Sequence, residues 1–452
     1  MTKPVTEREI VLGILMEVTE KGMYSHIVLR EVLGKYQYLD KKERAFITRV
    51  TEGTLEHMIE LDYILDRFSK VKVKKMKPVI RNILRSAVYQ LKYMDTVPDS
   101  AVCNEAVKLA VKKGFGTLRG FVNGVLRSTA RGLKDVVYPK ETKARLSVQY
   151  SMPLWILELW METYDPETIE KMLADFQKEK PLTIRWSDKS RNPEEIFAAE
   201  GVTVQRHPYL PYACRISGYD YLGDLESFAK GYFSVQDISS MLVCEAAAPK
   251  EGDYIIDVCA APGGKSLHMA ELLNGSGMVE ARDLTQYKVD LIQENIDRTG
   301  LLNIRAVQQD ALVFDADSVE KADIVVADLP CSGLGVLGKK TDLKYKATPE
   351  GAAQLARLQR EILENVRTYV KPGGTLIYST CTINHAENQD NVHWFLEKYP
   401  EFSLTDIRER LCSELRADVE ENGMIQLLPG IHQSDGFFLA CMKRNCNDSN
   451  NE

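Results

Sequence analysis

From Tyr254 onward the sequence alternates short apolar runs with helical patterns. That alternation commits this part of the chain to an α/β fold built on a largely parallel sheet. Candidate strands cover 254–258, 278–282, 304–307, 323–327 and 374–379, and helical periodicity fills 265–273, 286–299 and 350–369. Two later apolar segments, 424–428 and 436–442, fit an antiparallel hairpin at the sheet edge. The first run leads into Asp257-Val258-Cys259-Ala260-Ala261-Pro262-Gly263-Gly264-Lys265, which reads as a strand end, a glycine turn and the first turn of a helix. Such a turn is where α/β proteins hold nucleotide-like ligands, against a helix N-terminus. It matches neither the dinucleotide pattern G-x-G-x-x-G nor the phosphate loop G-x-x-x-x-G-K-[ST], which disfavours a nicotinamide oxidoreductase. The plain alternative is an ordinary βα turn.

The other strand ends sharpen this. They carry Glu280-Ala281-Arg282-Asp283, Gln308-Gln309-Asp310, Asp328-Leu329-Pro330-Cys331-Ser332-Gly333 and Ser379-Thr380-Cys381. Carboxyl-end positions of an open α/β sheet face one crevice. Taken singly, Asp283 and Asp310 read equally well as helix caps, and the cysteines as small buried residues. Five aligned strand ends make one site the better reading. An acid after the second strand accepts ribose hydroxyls in dinucleotide folds, which assigns Asp283. Asp310 is placed to accept an adenine amino group. A nucleoside lacking phosphates suits a turn that lacks a phosphate loop, and S-adenosylmethionine is such a ligand. Backbone N–H groups of residues 260–264 can hold its carboxylate. Cys259 reads as a wall of that turn, and Lys265 as a residue facing base or cofactor, or else as a plain helix start.

Two cysteines at neighbouring strand ends suggest covalent chemistry on a pyrimidine. A thiolate that adds to carbon 6 of cytosine makes carbon 5 nucleophilic. Asp328 is placed near the base, either donating to N3 in a protonated form or accepting from the amino group. Spacing does not rank Cys331 against Cys381.

Before residue 140 no strand-like alternation occurs, and apolar residues recur at helical spacing. Asp40-Lys41-Lys42-Glu43 fits a capping box, Pro78 a helix start, and Pro98-Asp99-Ser100 another. Residues 1–140 hold 26 Lys+Arg against 16 Asp+Glu, whereas the remainder holds 32 against 49. A basic module joined to an acidic one points to a polyanion as partner, or to a solvated helix surface. The loop with Lys70, Lys72, Lys74, Lys75 and Lys77 is the candidate RNA contact. Residues 141–235 read as a small α+β module. Within it Arg185 is a candidate for RNA phosphate or for a carboxylate, and Gln236 and Asp237 just beyond it are placed to cover the ligand, with Asp237 equally good as a helix cap.

Nine cysteines without C-x-x-C spacing argue against a disulfide framework and a zinc site, so no metal is expected. No apolar run approaches a membrane span and the N-terminus lacks a signal-peptide core, so a cytoplasmic protein is expected.

Residues Leu84–Leu91 and Phe121–Arg127 resemble the helices of the NusB family of all-helical RNA-binding proteins, over most of residues 1–130. Asp257–Lys265, Asp328–Gly333 and Ser379–Cys381 together resemble the NOL1/NOP2/Sun family of RNA cytosine-C5 methyltransferases, with Leu329 where alanine is usual. The joined pair resembles, nearly end to end, the bacterial members that methylate a cytosine of 16S ribosomal RNA. The resemblance implies a helical NusB-like domain (1–140), a small α+β module (141–235), a Rossmann-like methyltransferase domain (236–446) and a polar tail (447–452). It implies S-adenosylmethionine as cofactor and ribosomal RNA as partner, with no obligatory protein partner. It makes Cys381, in the Thr-Cys pair, the nucleophile and Cys331 the residue of product release, whereas the Pro-Cys pair of DNA cytosine enzymes would favour Cys331 for attack. The same chemistry on transfer RNA, and a non-catalytic RNA-binding factor, are the rival readings; retention of both cysteines speaks against the latter.

Overall fold

The basic N-terminal region folds as α1 (Glu7–Lys21), α2 (Ser25–Lys35), α3 (Lys41–Glu56), α4 (Met58–Phe68), α5 (Pro78–Tyr93), α6 (Asp99–Lys112) and α7 (Arg119–Gly132). The structure is a computed structural model that describes residues 5–36 and 38–446; the expected polar tail lies outside them. Local sequence sets the helix ends. Asp40 accepts from the Glu43 N–H and Glu43 reaches back to the Asp40 N–H, the reciprocal box that starts α3. Pro78 occupies the first turn of α5, where its missing N–H costs nothing. Ile14, Leu15, Ile47, Val50, Leu61, Ile64, Leu84, Val88 and Leu126 meet in one core, each contributing roughly 1.5–3 kcal/mol by burial. After α4, Val73 and Met76 are buried while Lys70, Lys72, Lys74, Lys75 and Lys77 stay exposed. Two apolar anchors thus present the basic loop to solvent.

Two compact units emerge. One holds the chain up to Gln177 together with Leu337–Thr348; the other holds Lys178–Val336 and the chain from Pro349 on. The residues expected as one module at 141–235 are divided between them. Helices α8 (Thr142–Gln149), α9 (Leu154–Met161) and α10 (Pro166–Phe176) belong to the first unit. They bury Leu146, Ile156, Leu157 and Trp160, and Ser151 Oγ accepts from the Glu60 N–H of α4 at 2.9 Å. In the same unit Leu337–Thr348 is tied down by polar contacts. Asp342 accepts from Ser25 N and Oγ at 3.0 and 2.7 Å. Lys344 is 4% exposed, donates to Glu56 O at 2.8 Å, and is pushed down to about 8 by burial.

The second unit opens with an antiparallel sheet of β1 (Leu182–Trp186), β2 (Thr203–Arg206), β3 (Ala213–Ser217) and β4 (Phe233–Val235) in the order β2-β3-β1-β4. The larger sheet contains β5 (Tyr254–Asp257), β6 (Met278–Asp283), β7 (Ile304–Gln308), β8 (Ala322–Asp328), β9 (Val370–Thr380), β10 (Phe402–Leu404), β11 (Val419–Glu420), β12 (Met424–Leu427) and β13 (Phe437–Arg444). Its order is β11-β12-β13-β9-β8-β5-β6-β7, with β10 beside β13. Strands β5 to β9 run parallel, while β12 and β13 form the antiparallel hairpin that joins through β13 to β9. The strand order reverses between β5 and β8, the switch point at which open α/β sheets bind ligands. Among the described residues no helix is long and apolar enough to cross a membrane.

Candidate active site

The turn after β5 carries the first half of the site. Gly263, at φ 101°, adopts a left-handed conformation and caps the helix Gly264–Leu272, which points its first N–H groups outward. Asp257, Cys259, Ala260, Ala261, Pro262, Gly264, Lys265 and Asp328 line one cavity of about 220 Å³ together with Val235, Gln236, Asp237 and Ser240. Two buried polar atoms of this lining, Gln236 Nε2 and Asp257 Oδ1, have no hydrogen bond of good geometry within the protein, although the Cys259 N–H approaches the Asp257 carboxyl. Asp257 Oδ2 accepts from Ser266 Oγ at 2.6 Å. Burial pushes the Asp257 carboxyl up to about 7, against the opposing pull of Ser266 and Lys265. Burial, with Asp257, Asp283 and Asp328 nearby, also raises the Cys259 thiol, which suits a wall better than a reactive thiolate.

Lys265 donates to Asp328 Oδ2 at 2.6 Å and to Ser240 Oγ at 3.2 Å. Burial works against its charge, but Asp328 outweighs burial and the ammonium is held above its ordinary value. Ser379 Oγ donates to the other oxygen of Asp328 at 2.8 Å. Both carboxylate oxygens therefore accept, an arrangement that favours acceptance from a ligand over donation to it.

Asp283 and Asp310 stand apart from that cavity lining. Asp283 is buried at the end of β6, accepts from the Ala261 N–H at 3.0 Å and pairs with Lys288 at 2.9 Å, so it also fixes the turn. Asp310 is partly exposed beyond β7 and accepts from the Leu312 N–H at 2.9 Å.

Cys331 and Cys381 come from the ends of β8 and β9, and their sulfurs lie 3.2 Å apart. The hydrogen bond to Cys381, then burial, raises the Cys331 thiol well above its ordinary value. Backbone packing enforces the approach. Gly335 N–H donates to Cys381 O at 3.0 Å, and a Cβ on Gly335 would stand 1.9 Å from Gly436 O and 2.9 Å from Cys381 O. Only a residue without a side chain fits there. Beneath the two thiols Glu387 is wholly buried. It accepts from Ser332 N at 2.9 Å, Asn384 Nδ2 at 2.8 Å and Gln359 Nε2 at 3.0 Å, and also from Ser332 Oγ. Ser332 Oγ lies 2.7 Å from Thr382 Oγ1, so the network ties the two thiol loops together.

Sequence reasoning missed this network, Ser240 and Gly436. The signal was the run Thr382-Ile383-Asn384-His385-Ala386-Glu387-Asn388, unusually polar for a segment just past a buried strand. His385, within that run, is half exposed and pairs with Asp390 at 2.8 Å.

Arg185 is a correction. It was a candidate for RNA phosphate, but it is 1% exposed and its guanidinium meets Glu271 at 3.0 and 2.7 Å, Gly264 O at 3.1 Å, and Gln236. It meets a carboxylate inside the protein and has no surface left for RNA.

The profile of the 16S rRNA methyltransferase RsmB/F family matches residues 244–443, and that of the NusB family residues 5–131. The probable ribosomal RNA small subunit methyltransferase B of Bacillus subtilis is 36% identical over 448 residues, covering 98% of this chain and 99% of that protein. The chain belongs to the RsmB/F family of 16S rRNA methyltransferases. A second RsmB relative, from Synechocystis sp., is 32% identical and covers 97% of this chain and 100% of its own. The solved structure of PH0851 has a TM-score of 0.79 at 24% identity, covering 98% of this chain and 100% of that one. NSun6 from Pyrococcus horikoshii, solved with SFG, gives 0.55 at 23% identity over 68% of this chain and 98% of its own. Both structures speak to the fold. As an RsmB/F member the protein is an S-adenosylmethionine-dependent methyltransferase of small-subunit ribosomal RNA, and the NusB match covers the basic helices.

Proposed function

We propose that this chain methylates carbon 5 of a cytosine in 16S ribosomal RNA through a covalent cysteine adduct. The observation that carries the proposal is the pair of thiols, Cys331 and Cys381, held 3.2 Å apart by two strand ends. A methyltransferase acting on an already nucleophilic atom has no use for such a pair.

When bound, S-adenosylmethionine supplies an electrophilic methyl group. The Cys259–Lys265 turn and the helix N-terminus behind it hold its amino-acid end, and Asp283 and Asp310 its nucleoside. Carbon 5 of cytosine is a poor nucleophile. The Cys381 thiolate adds to carbon 6, and the displaced electron pair makes carbon 5 an enamine carbon that can take the methyl group. Loss of the carbon-5 proton and breakage of the carbon–sulfur bond restore the ring and return the thiolate. Cys331 keeps its proton, because its raised thiol favours the S–H form. It can therefore hydrogen-bond to the departing Cys381 thiolate and help product release, while the carbon-5 proton passes to solvent. Asp328, with both oxygens accepting, recognises the cytosine amino group, and Lys265 fixes its orientation.

The base must leave its stack to reach these groups. The helices of the first unit dock the RNA, with the Lys70–Lys77 loop on its phosphates, and the unit that holds the larger sheet performs the chemistry. The setting is cytoplasmic and no obligatory protein partner takes part. Mapping of 5-methylcytosine in ribosomal and transfer RNA tests the reading. Cells lacking the protein should lose a modified cytosine in 16S RNA. An unchanged 16S pattern overturns the proposal, and loss confined to transfer RNA moves the same chemistry to that substrate.

A further inference from the structure

Gln236 lies between β4 and the helix Ile238–Ala247, lines the cavity beside Lys265, and is 5% exposed. An amide side chain can face either way, and its neighbour decides. Arg185 carries only N–H donors. Glu271 takes its Nε and Nη2, and Nη1 donates both to Gly264 O and to Gln236 Oε1. The amide oxygen must therefore face Arg185, which leaves Nε2 on the opposite side of the amide, in a side chain that lines the cavity. Nε2 is buried without an acceptor. Buried donors are nearly always paired in folded proteins, so this one is kept for a ligand acceptor. Asp257 Oδ1, in the same lining, is a buried acceptor with no hydrogen bond of good geometry. One unpaired donor and one unpaired acceptor in a single cavity complement an α-amino acid group, whose carboxylate accepts and whose ammonium donates.

We propose that Gln236 is a further binding residue, donating from Nε2 to the α-carboxylate of the methyl donor's amino-acid arm, and that Arg185 is the positioning residue that aims it. The inference rests on the donor reading given above and deepens it. It also explains why a buried arginine stands on β1 of the small sheet: it orients a ligand contact.

Gln236→Glu is the informative substitution. It keeps the shape and the acceptor for Arg185, removes both N–H donors, and sets a like charge against a carboxylate. Titration calorimetry on the full chain would compare S-adenosylhomocysteine, which carries the amino-acid arm, with 5′-methylthioadenosine, which lacks it. Gln236→Glu should weaken the first at least tenfold and leave the second within twofold. Gln236→Met, which keeps the packing without polar atoms, should give the same split. Arg185→Lys should give a smaller loss of the same kind. Unchanged affinity for S-adenosylhomocysteine, or equal losses for both ligands, overturns the proposal. A parent chain that binds neither ligand instead overturns the donor reading itself, and this inference with it.

Discussion

Glu60 in the helical unit and Asp257 in the sheet unit are 2% and 1% exposed, yet their surroundings move them in opposite directions. Glu60 accepts from Tyr93 Oη at 2.5 Å, from Tyr138 Oη and from Lys92 Nζ at 2.9 Å. Burial alone would raise its carboxyl, but these partners together with His57 bring it down to about 2. Asp257 has one hydroxyl on one oxygen and only a weak approach from the Cys259 N–H besides, and burial takes it up to about 7. A buried carboxylate whose partners are complete holds a fold together. One left incomplete beside a cavity marks a place where something else binds. The contrast divides groups and not units, since Glu387 in the sheet unit is also complete: substitutions at completed groups should cost stability, and those at incomplete groups should cost chemistry.

The largest effect expected tests the chemical side. Cys381→Ala should lower methyl transfer by about 10⁴-fold or more, since no other group replaces the nucleophile. Thermal unfolding and S-adenosylhomocysteine binding should stay at parental values. Normal turnover in this variant would remove Cys381 from the mechanism. Cys331→Ala should instead trap a protein–RNA adduct that survives denaturant. If gels show no adduct and turnover is normal, the release role is wrong.

Glu60→Gln tests the structural side. It leaves Lys92 and two tyrosine hydroxyls without their carboxylate, at a cost of about 3 kcal/mol. Depression of the Glu60 carboxyl from 4.5 to about 2 corresponds to a similar figure, about 3 kcal/mol. The stabilisation is present above about pH 4.5 and is lost as pH falls toward 2, because the folded form holds the charge longer than the unfolded one. Urea unfolding should therefore show a deficit at pH 7 that shrinks steadily below pH 4.5. A pH-independent deficit would mean that packing, and not charge pairing, dominates.

Asp257 carries the opposite sign. Its folded value of about 7 lies above the ordinary 3.8, so the parent loses stability as pH rises from about 4 through 7. Asp257→Asn keeps an acceptor for Ser266 and removes the buried charge. Relative to the parent it should gain about 2 kcal/mol on going from pH 5 to pH 8, while binding S-adenosylhomocysteine less well. Equal stability differences at both pH values would place Asp257 with Glu60 and erase the contrast.

The same distinction separates what was legible in the sequence from what was not. Local signals were read correctly: the Asp40–Glu43 box, Pro78 at a helix start, and the Asp257–Lys265 turn all form as expected. The hairpin of β12 and β13 followed from its apolar runs. Long-range pairings left no local trace. Arg185 finds Glu271 across 86 positions, and Cys331 meets Cys381 across 50. Strand β4, of three residues, is too short for a period of two to declare itself, and β3 buries Ala213, Cys214 and Ile216, so its burial does not alternate. Nothing local in Lys339-Lys340-Thr341-Asp342-Leu343-Lys344 announces that Lys344 is buried, with Glu56 O accepting from its ammonium, or that Asp342 accepts from the Ser25 N–H. Completion of a polar group depends on partners that composition does not reveal, which is why the candidate residues of the site were easier to name than their supports.

The smallest effect concerns the exposed lysines. Lys72 has one exposed ion pair, with Asp66 at 3.6 Å, and such a pair adds about 0–1 kcal/mol. Lys72, Lys74 and Lys75 together changed to Ala should therefore leave unfolding almost unmoved. If the loop lies on phosphates, each lost contact should reduce the slope of log affinity against log salt by about one. Binding to 16S RNA fragments, titrated from low to moderate salt, reads this directly. A flatter slope with parental stability assigns the loop to neither class above: its charges are complete in solvent, need no buried partner, and act only when a polyanion displaces their counterions. An unchanged slope removes the loop from the RNA footprint and leaves the basic surplus of the first 140 residues to other helix faces.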